Sequence, residues 1–203
     1  MRVLPAVLIP LLGWGLGAPP LRAQTWEGSV LGAWQTQTSS TYWEQGTASA
    51  WGLRGAWLAP RNGASRLLLT AAWTAPARWS TRGAGGAPVD LRAQSAALGV
   101  ARETWFMEDR FFFSVGLDLR HTWLESTLPP APKATNHLPQ IWMRLGAGLR
   151  AWAFNRPDRL ASNEPSRYAI LRLDLGEAAP RGPSATDELL PQREVALACG
   201  VRF

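Results

Sequence analysis

The chain has 203 residues, 21 basic and 15 acidic side chains, and a formal charge of +6. The basic residues are spread singly and are nearly all arginine, with Lys133 the one lysine, so they form no block or stripe of the kind that reads nucleic acid. Cys199 is the one cysteine, which excludes an internal disulfide and a cysteine-built metal site, and no apolar run beyond residue 23 is long enough to cross a bilayer as a helix.

Residues 1–23 read as an export signal. Arg2 supplies the positive charge, Val3 to Leu16 is apolar but broken by Pro5, Pro10, Gly13 and Gly15, and Ala18 to Ala23 leads to a small residue before Gln24. Such a run is too short and too broken for a membrane helix but suits the apolar part of a signal peptide. Residues 24–203 then form one domain, with 19 basic and 15 acidic groups and a charge of +4. Eleven of the twelve tryptophans lie in it, and membrane proteins place Trp at the lipid–water interface.

Alternation with a period of two then dominates, as expected of strands. Glu27 to Thr38 sets Gly28, Val30, Gly32 and Trp34 against Glu27, Ser29, Leu31 and Gln35. Ala48 to Ala59 sets Trp51, Leu53, Gly55 and Trp57 against Arg54 and Ala56, and Ser65 to Ala75 sets Leu67, Leu69, Ala71 and Trp73 against Arg66 and Thr70. Asp90 to Arg102 is less regular, because Arg92 and Arg102 share the parity of Ala96, Leu98 and Val100; a bulge or arginines reaching past the apolar band would reconcile it. Arg110 to Glu125 is the clearest case, with Phe111, Phe113, Val115, Leu117, Leu119, His121 and Trp123 opposite Phe112, Ser114, Gly116, Asp118, Arg120 and Thr122. Gln140 to Phe154 follows, with Trp142 and Trp152 unexpectedly on the face of Arg144 and Arg150, and then Arg167 to Gly176, with Arg172 and Asp174 inward.

Phe113 and Trp123 stand ten residues apart on one apolar face. At about 3.3 Å per residue and a tilt near 40°, that is about 25 Å of height, the separation of two aromatic girdles around a hydrocarbon band. Trp51, Trp57, Trp73, Phe111, Phe113 and Trp123 are the girdle candidates. The connections read as Ser39 to Thr47, Pro60 to Ala64 with the turn pair Asn62-Gly63, Ala75 to Val89, Met107-Glu108-Asp109, the Pro-rich Ser126 to Leu138, Asn155 to Pro165, and Glu177 to Gln192. Long and tight connections mostly alternate, as extracellular loops and periplasmic turns do.

The last segment places Val195, Leu197, Cys199, Val201 and Phe203 on one parity, ending at the carboxy-terminus, with Arg202 as the polar penultimate residue. Here the chain resembles the outer-membrane barrel class, and more loosely the small OmpA/OmpX-like barrels. The resemblance implies an all-β, eight-stranded, antiparallel up-and-down barrel in the outer membrane of a Gram-negative bacterium. It implies that these five residues form the signal read by the barrel-assembly machinery after passage with periplasmic chaperones, and that lipid and lipopolysaccharide are the surroundings.

An eight-stranded barrel is just wide enough for side chains to fill. Arg54, Arg66, Asp118, Arg120, Arg144, Arg150, Arg172, Asp174 and Glu194 are the expected inward charges. They read either as a plug of ion pairs with arginine in excess, hence electropositive, or as a narrow anion-preferring pore. No catalytic constellation stands out. Lipid-modifying barrels of the deacylase type, similar in size, pair a His with a Ser two residues away; His121 has Leu119 and Trp123 there, and His137 has Thr135 and Pro139. The two histidines are far apart in sequence and show no metal-ligand spacing, so neither metal nor cofactor is expected. Arg78, Trp79, Arg82 and the glycines after them are expected in a basic, flexible outer loop, and Lys133 and His137 in the next one. The expected occupation is a structural or interaction role without enzymatic activity, with transport as the alternative.

Overall fold

The computed structural model describes residues 25–37, 46–82, 86, 88–127, 134–153, 167–179 and 189–203. They form eight strands: β1 (Thr25–Gln37), β2 (Gly46–Leu58), β3 (Ser65–Arg82), β4 (Pro88–Phe106), β5 (Phe111–Thr127), β6 (Ala134–Ala153), β7 (Tyr168–Ala178) and β8 (Arg193–Arg202). Each pairs antiparallel with its neighbours in sequence, and β8 returns to β1, so the sheet closes. Trp26 and Phe203 exchange backbone hydrogen bonds of 2.8 and 2.9 Å at that seam. Residues 1–23, expected to be an export signal, Lys133 and the connection from Asn155 to Pro165 lie outside the described residues.

Alternation sets the facing throughout. On β5, Phe112, Ser114, Gly116, Asp118, Arg120, Thr122 and Leu124 are buried, while Phe113, Val115, Leu117 and Leu119 are exposed. The irregular β4 keeps one phase along its whole pairing with β5. Leu98 is 68 % exposed, and Arg92 and Arg102 share its outer face. No bulge is needed there; the two arginines lie toward the ends of the strand. An exterior this apolar and this exposed has no place in water, and a hydrocarbon solvent accounts for it.

Three expectations about extent need correcting. Ala75 to Val89 is largely strand, since β3 runs to Arg82 and β4 begins at Pro88. A register shift between Thr74 and Ala77 inserts an extra residue, so the inward parity changes from Thr70 and Thr74 to Ala77, Trp79 and Thr81. Trp79 is therefore buried inside the barrel and not in a flexible loop. Likewise β6 starts at Ala134, so His137 and Pro139 lie in a strand opposite Trp123 and His121.

The result is a barrel with one tall side. β3 to β6 have 17 to 20 residues, whereas the other four strands have 10 to 13. Pairing of β2 with β3 begins at Gly52↔Thr74 and that of β6 with β7 at Trp142↔Ala178, so beyond those points, among the described residues, the four strands rise as a wall.

Two connections at the end that holds Thr25 and Phe203, β2 to β3 and β4 to β5, are tight. Asn62 and Ser65 form a bridge around Gly63 at φ 62°, the conformation an Asn-Gly pair supplies readily. Met107, Glu108 and Asp109 all take positive φ, at 51°, 55° and 62°, which is uncommon for residues with a side chain. The Arg61–Asp109 ion pair at 2.6 Å ties the two turns together.

Candidate functional site

The interior is built in layers. At the terminal end, Glu27 on β1 stands directly opposite Arg202 on β8. The Arg202 side chain is 0 % exposed. Its Nε donates to Glu27 Oε2 at 2.8 Å, and its Nη1 and Nη2 donate to the two oxygens of Glu103 at 2.9 and 2.6 Å. This is a two-pronged arginine–carboxylate contact, the strong form of such a bond. Arg66 and the Trp105 indole N–H also donate to Glu103 Oε1. The Arg202 guanidinium lies 5.4 and 5.1 Å from the centres of the Trp105 and Phe112 rings, and Tyr168 and Ile170 complete the box.

The middle layer contains three arginines and two aspartates. Asp174 accepts from Arg54 and Arg172, both at 2.8 Å, and Arg144 meets Asp118 at 2.9 Å. Arg172 Nη2 also donates to Ser114 Oγ at 2.6 Å. Glycine makes the space: a Cβ on Gly146 would collide with Asp174 Oδ1 and Ser114 Oγ, and one on Gly99 with Asp118 Oδ1.

Toward the other end, Arg120 donates to both oxygens of Glu194 at 2.8 and 2.9 Å, and Gln35 donates to the same carboxylate at 2.8 Å. The guanidinium of Arg120 sits 3.9 Å from the centre of the Trp142 ring, a cation–π distance. Above this layer is a cavity of about 10 Å³ between Gln35, Thr74, Ser95, Arg120 and Trp142, room for a single water. An apolar cap then closes the mouth, made of Ala77, Trp79, Val89, Leu91 and Leu124 from the wall with Leu189 and Leu190 from the end of the β7–β8 connection. Trp79 Nε1 donates to Gln37 Oε1 across the gap above the β2–β3 ladder.

Of the inward charges expected from sequence, Arg54, Arg66, Asp118, Arg120, Arg144, Arg172, Asp174 and Glu194 meet in these layers. Arg150 stands apart. It is half-buried at the terminal end, with its guanidinium 5.8 Å from the Tyr168 ring centre and no ion pair among the described residues. The expected surplus of arginine also shrinks, because Glu27 and Glu103 enter the interior with Arg202, leaving six arginines against five carboxylates in the layers among the described residues. The lumen is close to neutral. Glu103 and Trp105 lie just past Arg102, where the alternating run of the fourth segment was expected to end. Continuing its parity by three residues would have found them. Trp142, unexplained from sequence, is the platform for Arg120. Trp152 is turned outward by a second register shift, between Arg150 and Trp152.

Outside, the aromatic candidates fall into two bands. Trp57 pairs with Trp26 beside the seam, and Phe111 stacks on Phe106 at 6.1 Å, with Phe113 nearby. At the opposite side of the apolar belt, Trp51 meets Trp73 edge-on at 5.6 Å, and Trp123 contacts His121 at 4.8 Å. His121 and His137, distant in sequence, come within 5.8 Å of each other between ring centres. Val195, Leu197, Cys199, Val201 and Phe203 are all exposed on the outer face of β8. Among the described residues no group of three or more His, Cys, Asp or Glu could hold a metal.

Comparison with solved structures finds barrels. The transport unit of the autotransporter AIDA-I from Escherichia coli has a TM-score of 0.50 at 8 % identity, over 94 % of each chain. Neisserial surface protein A gives 0.49 at 10 % identity, over 88 % of this chain and 96 % of that one. Ail of Yersinia pestis gives 0.47 at 8 %, over 89 % and 97 %. No protein-family model matches the sequence, and no curated protein matches it. The likeness concerns the fold, a closed antiparallel β-barrel.

Proposed function

We propose that this chain is an exported outer-membrane barrel that neither conducts nor catalyses, and that it serves as a structural or interaction scaffold presenting its loop-end surface. The observation that carries this reading is the filled interior. Three layers of paired charge and an apolar cap occupy the lumen from Arg202 to Leu190, while the outside carries exposed Leu, Val and Ile between two aromatic bands. A buried ion pair broken at one partner is strongly unfavourable, so a continuous aqueous path through these layers would cost several such breaks. Assembly through periplasmic chaperones and the barrel-assembly machinery, with the alternate residues Val195 to Phe203 as the insertion signal, belongs to the same proposal.

Two measurements test it. Membrane fractionation with a heat-modifiability gel should place the chain in the outer membrane, with folded and boiled forms migrating differently. Planar-bilayer recordings of the purified barrel should be silent. Steady unitary currents, reduced by Arg144→Gln, would replace the scaffold reading with an anion pore. A change in lipid A mass on overexpression would replace it with a lipid-modifying enzyme.

A further inference from the structure

We infer that Arg78 on β3 and Arg92 on β4 form a site, on the outside of the wall, for the phosphate of an outer-leaflet lipid headgroup. Four observations lead there. First, the bulge before Ala77 reverses the parity of β3. Without the extra residue, Arg78 would turn into the lumen and Trp79 outward; with it, Trp79 fills the cap and Arg78 is exposed outside. Bulges re-aim side chains in this way.

Second, the re-aimed Arg78 stands directly opposite Arg92, as a cross-strand pair. Like charges in that position repel and destabilise a sheet. Third, the nearby carboxylates leave the pair under-neutralised. Asp90 accepts from Ser80 Oγ at 2.7 Å, Glu125 reaches Arg92 only at 3.6 Å with the Arg92 side chain exposed, and Arg78 has no ion pair among the described residues. Arg82 adds a further positive charge on the same outer face.

Fourth, the depth is right. On β5 the outward residue next beyond Trp123 is Glu125, which opposes Arg92. Two residues of strand are about 6–7 Å, which puts the arginines just past the aromatic band. The outer face changes character at the same height, from Leu67, Leu69 and Trp73 to Arg78, Ser80 and Arg82. A phosphate presents several acceptor oxygens and can take a guanidinium fork from each side, a geometry arginine fits better than lysine. A headgroup is also concentrated at this height by its own acyl chains, whereas a free anion is not.

This inference rests on the outer-membrane reading, but the two fail separately: fractionation decides location, and the following uses purified barrel. Folded protein in an uncharged glycoside detergent is titrated with bisphosphorylated lipid A and with the same lipid stripped of its phosphates, binding being read from intrinsic tryptophan fluorescence. Wild type should favour the phosphorylated lipid. Arg78→Gln and Arg92→Gln should each weaken that preference about tenfold, Arg78→Lys less, and the exterior control Arg193→Gln not at all. A heat-modifiability gel verifies that each variant is folded. Equal binding of the two lipids by wild type, or unchanged preference in the folded Arg78→Gln/Arg92→Gln double variant, overturns the site. Complete displacement of the lipid by millimolar inorganic phosphate overturns the headgroup as its occupant.

Discussion

Replacing Arg202 by methionine keeps a long side chain between Trp105 and Phe112 but removes the charge that joins β8 to β1 and β4. The wild-type guanidinium makes two contacts to Glu27 Oε2, at 2.8 and 2.7 Å, and two to Glu103, at 2.9 and 2.6 Å, with all three side chains fully buried. Removing one partner from such a cluster costs about 3–5 kcal/mol, most of it from the charge left behind. The two carboxylates do not suffer equally. Glu103 keeps Arg66 and the Trp105 indole, whereas Glu27 keeps no hydrogen-bond partner among the described residues. The loss should therefore centre on Glu27. Adding Glu27→Gln to R202M should return about 1–3 kcal/mol, and adding Glu103→Gln should return less. Equilibrium urea unfolding of the refolded barrel in detergent micelles, followed by tryptophan fluorescence, measures each step of the cycle. Refolding from urea also removes the assembly machinery, so an effect on recognition of the carboxy-terminal segment does not enter. A loss below about 1 kcal/mol, the range of an exposed pair, would refute the reasoning, as would a Glu27→Gln change that fails to rescue.

Gly148→Ala should destabilise by about 1–3 kcal/mol through overpacking, because the new methyl would strike the Phe112 ring and the Leu171 carbonyl, while Gly28→Ala, with nothing within 4 Å, should not. Urea midpoints of the two variants make the comparison. Leu98→Arg sets a charge on the lipid face within the apolar belt and should cost about 2–4 kcal/mol in a bilayer; stability in lipid vesicles reads it. Trp79→Ala should cost about 3–5 kcal/mol and loosen the cap, yet bilayer recordings should remain silent, because Arg120, Glu194 and Trp142 still close the layer below.

The strand faces were legible because a barrel with lipid outside and paired charge inside writes a two-residue period into every crossing. Arg110 to Glu125 needs no other context. What failed to show was anything decided by a neighbouring strand. Ala75-Pro76 looks like the end of a segment, and only the pairing of β3 with β4 beyond it reveals that the strand continues with its parity reversed. The Pro-rich approach to Gln140 looks like a loop, yet from Ala134 it pairs with β5. Glu27 sits plainly on the polar parity of β1, but its tie to Arg202 depends on the closing register, which joins residues 175 apart. Partner choice inside the lumen is a property of shear and closure, and one strand read alone does not contain it.

The tall side of the barrel brings back a problem that closure had solved. A closed sheet has no free strand edges, but among the described residues the wall has two, one along β3 above Thr74 and one along β6 beyond Ile141. Free edges invite another chain to add on and grow into an aggregate. Each of these edges carries a proline, Pro76 and Pro139. Ile141 points its carbonyl toward β7, where it accepts from Ala179 N at 2.8 Å. Pro139, two residues farther out, turns its backbone to the same side and offers no N–H to a passing strand. The prolines that look like loop markers in the sequence stand guard where the barrel wall outgrows its neighbours.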